Sequence, residues 1–209
     1  MPISFLTPAE RERFSRFPAQ IPDDDLFVFF RLSDDDHRVI NQQREDATRL
    51  GFALQLCALR YLGFAPDELS TAPWEAVVYV ARQLHVPPET IETYGHRIKT
   101  RTTHLQLVQS HLGFRRALPL DFYALQTWLV DRALEHDKPT LLLQLACEKL
   151  QRDQIVRPGI TRLNQSTGDS YTQCREHTAI TRFRALPVCQ CRMARFRTPR
   201  RHRPAAGPR

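Results

Sequence analysis

The chain has 209 residues, 30 Lys and Arg against 23 Asp and Glu, and a hydrophobic fraction of 42%, enough for one or two packed domains of ordinary composition. It contains no run of about 18 apolar residues, since the best stretch, Phe52 to Leu62, is broken by Gln55 and Arg60, and its first residues lack the apolar core of a secretion signal. A membrane span is thereby excluded, a cytoplasmic protein is expected, and five unevenly spread cysteines read as free thiols rather than a secreted disulfide framework.

The elements in chain order are nearly all helical. Thr7-Pro8-Ala9-Glu10 is an N-cap, a first-turn proline and a capping-box glutamate, which open a short helix to about Arg16. Asp23, Asp24 and Asp25 precede the apolar segment LFVFF, which periodicity leaves open between helix and strand. Ser33 followed by Asp34, Asp35 and Asp36 opens the next helix, its acids set against the helix dipole. After a break near Arg44, Leu50, Ala53, Leu54, Cys57, Ala58 and Tyr61 recur as one buried face, and Gly63 ends that helix. Gly51 within it points to close approach of another helix.

Pro73 opens a helix with Val77, Val80, Ala81 and Leu84 inward, and Pro87-Pro88 separates it from a short turn around Ile91. A longer helix is predicted from about Tyr94 to Leu112 with Gly113 as its stop. Phe122, Leu125, Leu129 and Ala133 mark one more, and Leu142, Leu145, Ala146 and Leu150 another, parted by Asp137-Lys138-Pro139. Arg157-Pro158-Gly159 breaks the pattern. Strand-like alternation is nearly absent, so the fold class is all-α: an irregular assembly of about seven to nine helices with helix-turn-helix-like units, followed by a largely disordered basic tail.

The charge is unevenly shared. Residues 167–209 hold ten arginines, no lysine and only Asp169 and Glu176, a net of +8, which leaves residues 1–166 at −1. The basic pI therefore belongs to the tail and does not by itself argue that the folded region binds nucleic acid. The expected division is a helical region over residues 1–165 and an Arg-rich tail over residues 166–209.

Within the folded region a basic block stands out. The segment from Thr93 to Leu120 has no acid and carries Arg97, Lys99, Arg101, Arg115 and Arg116, together with His96, His104 and His111. At about 100° per residue Arg97, Arg101, His104 and His111 fall within an arc of about 80°, with Ile98, Leu105 and Leu112 beside them. A helix anchored by the apolar side and presenting cations on the other suits a phosphate backbone or a major groove. The competing reading is a solvated face that happens to be basic.

Val80 to Tyr94 has the apolar spacing of a helix-turn-helix at Ala81, Leu84, Val86 and Ile91. His85 stands where glycine is usual, however, and Glu89 and Glu92 would repel phosphates. Arg49 and Arg60 share a helix face and extend the set of phosphate candidates. Enzyme signatures such as a phosphate loop, a nucleophile elbow or H-E-x-x-H do not occur. Cys174-x-x-His177 and Cys189-x-Cys191 are zinc-ligand types without a surrounding ββα or ribbon pattern, so no metal or cofactor is expected.

Several of these motifs together resemble the N-terminal region of the Tn-three family of transposases, bacterial enzymes that move replicative transposons through cointegrates. The resemblance is carried by Leu6 to Arg11, Leu32-Ser33, Arg44, Arg49-Leu50-Gly51-Phe52-Ala53, Ala81-Arg82-Gln83-Leu84, and Asp121-Phe122 with Trp128-Leu129, in order over about residues 4–165. It implies a nucleoid-associated protein that binds double-stranded DNA at transposon terminal inverted repeats. The implied contacts are Arg97, Lys99, Arg101, His104, Arg115 and Arg116, with Arg49 and Arg60 in support. The family's aspartate-aspartate-glutamate site lies in a longer C-terminal region that this chain does not match, so no enzyme activity is expected. After about Asn164 the family pattern is lost, and the tail is expected to be a frameshifted or fused reading that ends a truncated transposase. The alternatives are an interaction module that pairs with an intact transposase or another copy of itself, and a relic without function.

Overall fold

In the computed structural model, residues 6–66, 68–94, 98–135, 138–168, 170 and 172 are described. They form α1 (Pro8–Ser15), α2 (Asp23–Phe29), α3 (Asp34–Ile40), α4 (Asp46–Leu62), α5 (Trp74–Leu84), α6 (Ile98–Leu112), α7 (Pro119–Ala133) and α8 (Pro139–Arg152). Short 3-10 segments lie at Leu69–Thr71 and Pro88–Thr93, and residues 160–168 are again helical. The only sheet among these residues pairs β1 (Arg115–Arg116) with β2 (Ile155–Val156) in parallel. The fold is all-α, as its composition and periodicity predict.

The chemistry of the helix ends accounts for much of this. Thr7 Oγ1 accepts from Glu10 N at 3.2 Å while Glu10 Oε2 accepts from Thr7 N at 2.8 Å, closing the expected capping box. Ser33 and Asp36 close a second one, at 3.2 and 2.9 Å. LFVFF resolves as the body of α2, which buries Leu26 and directs Phe27 and Val28 outward. Gly63 and Gly113 both take left-handed conformations, φ 72° and 73°, where a Cβ would be strained, and so end α4 and α6.

Helix α4 is the centre of the molecule. Leu50 through Leu59 are all buried, so the helix is enclosed on every side rather than along the single stripe that its spacing suggests. The elements around it are α2, α3, α5, α6 and both 3-10 segments. Gly51 is needed for an aromatic ring rather than for a neighbouring helix: a Cβ there would sit 2.2 Å from the Tyr94 ring. Tyr94 is extended (φ −77°, ψ 138°) and caps the 3-10 segment, so α6 begins at Ile98 and not at Tyr94.

A second hydrophobic cluster joins Leu6 to α7, α8, Ile155 and Leu163. The helical stretch 160–168 packs into it beyond residue 165, with Thr167 and Ser170 buried and Ser170 Oγ donating to Gln126 O at 3.4 Å. Arg157 straps the two clusters. Its backbone N donates to Gly63 O at 2.8 Å, and its guanidinium lies 3.8 Å from the Phe64 ring centroid, beside Cys147 Sγ and the Phe14 carbonyl.

Candidate nucleic-acid interface

Helix α6 lies along α4, and its orientation follows from what the contact buries. Val108 is fully buried, and His104, 5% exposed, packs edge-on against Phe52 and stacks on Tyr94, with centroids 5.3 and 5.7 Å away. The Tyr94 hydroxyl and His104 Nδ1 are 2.9 Å apart, and Gln55 Nε2 donates to Arg101 O at 3.3 Å. Burial lowers the His104 pKa, so the ring favours its neutral form.

This overturns the expected facing of the helix. The arc that holds Arg101, His104 and His111 is turned toward the protein, because His104 acts as an aromatic packing residue rather than a surface cation. Val108 falls in the middle of that arc and was the available sequence signal. The exposed residues of α6 are Lys99, Thr102, Thr103, Gln106, Leu107 and Ser110.

The other cations divide into engaged and exposed ones. Arg60 Nη2 contacts both Asp36 carboxylate oxygens, at 3.1 and 3.0 Å, while Nη1 donates to Arg31 O at 3.2 Å. His111 Nε2 lies 2.8 Å from Asp36 Oδ1. Asp36 is 1% exposed and joins α3, α4 and α6; burial pushes its pKa up, but hydrogen bonds from Ser33, His111 and Arg60 outweigh that and leave it below the usual carboxylate range. Asp36 lies in the acidic first turn of α3, as the sequence predicts, while Arg60, expected to support phosphate contacts, is held against it. The Ser-x-x-Asp capping box was the signal that Asp36 points back into the structure.

Arg49 is likewise engaged, with Asp46 at 3.3 Å, Asn41 Oδ1 at 3.1 Å and Leu84 O at 3.4 Å, fastening the ends of α3 and α5 to α4. Arg115 forms a bidentate pair with Asp121, at 2.6 and 2.7 Å, which holds that carboxyl down at about 2. Lys99 and Arg116 are exposed, and no ion pair joins either to another described residue. Arg97 lies outside the described residues, as do Cys174, His177, Cys189, Cys191 and the Arg-rich tail. Of the helix-turn-helix-like unit, α5 is an α-helix and the second element is a 3-10 segment; Val86 and Ile91 are buried as the spacing requires.

A helical module with a partly exposed basic block and no membrane-spanning helix among its described residues defines the class. The chain belongs to the family described as a domain of unknown function, DUF4158, whose model matches residues 5–168. It is 33% identical over 163 residues to the transposase for transposon Tn501 of Pseudomonas aeruginosa, a match covering 78% of this chain and 16% of that protein. It is 31% identical over 162 residues to the transposase for transposon Tn1546 of Enterococcus faecium, covering 77% and 16%, and 33% identical over 172 residues to the transposase for transposon Tn21 of Escherichia coli, covering 81% and 17%. The resemblance to the Tn-three transposases therefore holds, and the chain matches about a sixth of the length of these relatives.

Proposed function

We propose that this chain is a DNA-binding portion of a transposase and that it recognises the terminal inverted repeats of a transposon. The observation that carries this reading is the similarity to transposases over the helical module, of which this chain represents about a sixth of their length. In support, the segment from Ile98 to Leu120 contains no acid, and two carboxylates beyond it are neutralised, Asp121 by Arg115 and Asp153 by Lys149 at 2.9 Å. Lys99 and Arg116, both exposed, would contact phosphates. Such contacts set affinity and its salt dependence and carry no sequence information of their own.

The test is the affinity of the full chain for a duplex copied from the flanking terminal repeat, against a scrambled duplex, at several salt concentrations. The expected outcome is a preference of about tenfold or more for the repeat. Equal binding to both with a steep salt slope would reduce the chain to a polycation and overturn the proposal.

One observation favours a second reading, an interaction module that pairs with an intact transposase or another copy of this chain. Leu120 and Tyr123, one turn apart at the start of α7, are 78% and 71% exposed, an apolar patch of the kind that docks partners. Concentration-dependent association in sedimentation, without repeat preference, would select it.

A further inference from the structure

We propose that the outward face of α6, formed by Thr102, Thr103, Gln106 and Ser110, reads base edges in the major groove of duplex DNA, with Lys99 and Arg116 gripping phosphates at its two ends. The proposal rests on the DNA-binding reading above and assigns the portion of the surface that supplies specificity.

Three observations carry it. The first is composition. A helix face that serves only to stay in water is best filled with Lys, Glu, Gln and Arg, which are good helix formers, whereas Thr and Ser cost a few tenths of a kcal/mol each in a helix interior. Here Thr102, Thr103 and Ser110 are exposed on α6, so the face is not optimised for helix stability. The second is chemistry. The Gln106 amide offers a donor and an acceptor side by side, the pair that matches adenine N6 and N7. The hydroxyls of Thr and Ser pair with any base edge, and Leu107, 44% exposed at the border of the face, offers an apolar surface to a thymine methyl. Thr103 Oγ1 already donates to Lys99 O at 3.0 Å, which fixes its rotamer and turns its lone pairs outward as acceptors.

The third is placement. At about 100° per residue Lys99, Thr102, Thr103, Gln106 and Ser110 fall within an arc of about 100°, a width that fits the floor of a groove about 12 Å across. The opposite side of α6 is held by Val108, by His104 between Phe52 and Tyr94, and by the His111–Asp36 contact, so the face is presented on a rigid support. Lys99 stands one turn before the reading residues. Arg116 follows the left-handed turn at Gly113, where Phe114 N donates to Gln109 O at 2.8 Å, and β1 is pinned to β2 by the bond from Arg115 N to Gln154 O at 2.9 Å. In chain order, one exposed cation therefore precedes and one follows a neutral, hydrogen-bonding stripe, the division of labour between positioning and reading that specific DNA binding needs.

The experiment compares two variants of the full chain on the repeat and scrambled duplexes across a salt series. Thr103→Ala/Gln106→Ala/Ser110→Ala is expected to lower the preference for the repeat about tenfold or more while leaving the scrambled-duplex affinity and the salt slope unchanged. Alanine raises helix propensity at all three positions, so loss of folding is not at issue, and circular dichroism checks it. Lys99→Ala/Arg116→Ala is expected to weaken both duplexes together, reduce the salt slope by about two, and keep the ratio. If the triple variant retains the wild-type ratio, α6 is not the reader, and the inference fails while the DNA-binding proposal stands. A wild-type chain with no preference overturns both.

Discussion

His104 illustrates how environment, and not residue type, decides what a titratable side chain does. Its ring fills the space between Phe52 and Tyr94 and is nearly withdrawn from solvent, so burial holds its pKa below the ordinary value of about 6.5. The unfolded chain therefore binds the proton more readily than the folded one. The resulting stability is fully present above about pH 6.5 and declines as the pH falls through that value toward the folded pKa. His104→Phe keeps an aromatic ring in place and removes this titration. We expect the wild-type urea midpoint to fall more steeply than that of the variant between about pH 7 and pH 5. Parallel profiles would show that the ring titrates normally and is less enclosed than its packing implies.

At the scale of elements, most helix ends were legible in the sequence, the start of α6 excepted, and helix facing was not. The Thr7 and Ser33 boxes and the Gly63 and Gly113 stops act within a few residues, so local chemistry fixes them. The rotation of α6 about its axis depends on what α4 presents to it, and a histidine that packs like an aromatic inverts the pattern that counts it as a cation. The complete enclosure of α4 was likewise hidden, because several other elements together create it. The turn after α5 combines both cases. His85 sits at φ 55°, ψ 43°, with Val86 N donating to Ala81 O at 3.1 Å, a left-handed helix end that the apolar spacing implied but that carries a Cβ. The side chain is exposed, so His85→Gly relieves strain without removing packing. It should raise stability by about 1 kcal/mol, read as a higher urea midpoint at unchanged slope. A loss of stability would mean that the imidazole holds the turn through contacts that outweigh the backbone cost.

Across the whole molecule, two hydrophobic clusters meet along a seam where polar and cationic contacts join the packing of Val156 against the first cluster. Gln151 Nε2 donates to Arg60 O at 2.6 Å, β1 pairs with β2, and the Arg157 guanidinium lies across Phe64 while reaching Cys147 and the Phe14 carbonyl. No local pattern marks such a seam in the sequence, where Arg157-Pro158-Gly159 reads only as a break. Burial lowers the Arg157 pKa and Cys147 beside it opposes that shift; truncating the side chain removes a cation–π contact and a charge-assisted hydrogen bond at once. Arg157→Ala should cost about 2–4 kcal/mol, and the loss should fall on one side of the seam. Leu50 to Leu59 are enclosed by α2, α3, α5 and α6, away from residue 157, whereas α7 and α8 are fastened to that core along this seam, of which the strap is a part. Native-state hydrogen exchange on the full chain checks this directly: amides of α7 and α8 should exchange faster in the variant while those of α4 keep most of their protection. Equal acceleration in both would mean that the clusters open as one cooperative unit. In that case the seam transmits stability in both directions, and the α7 face and the α6 face would respond together to any ligand bound at either.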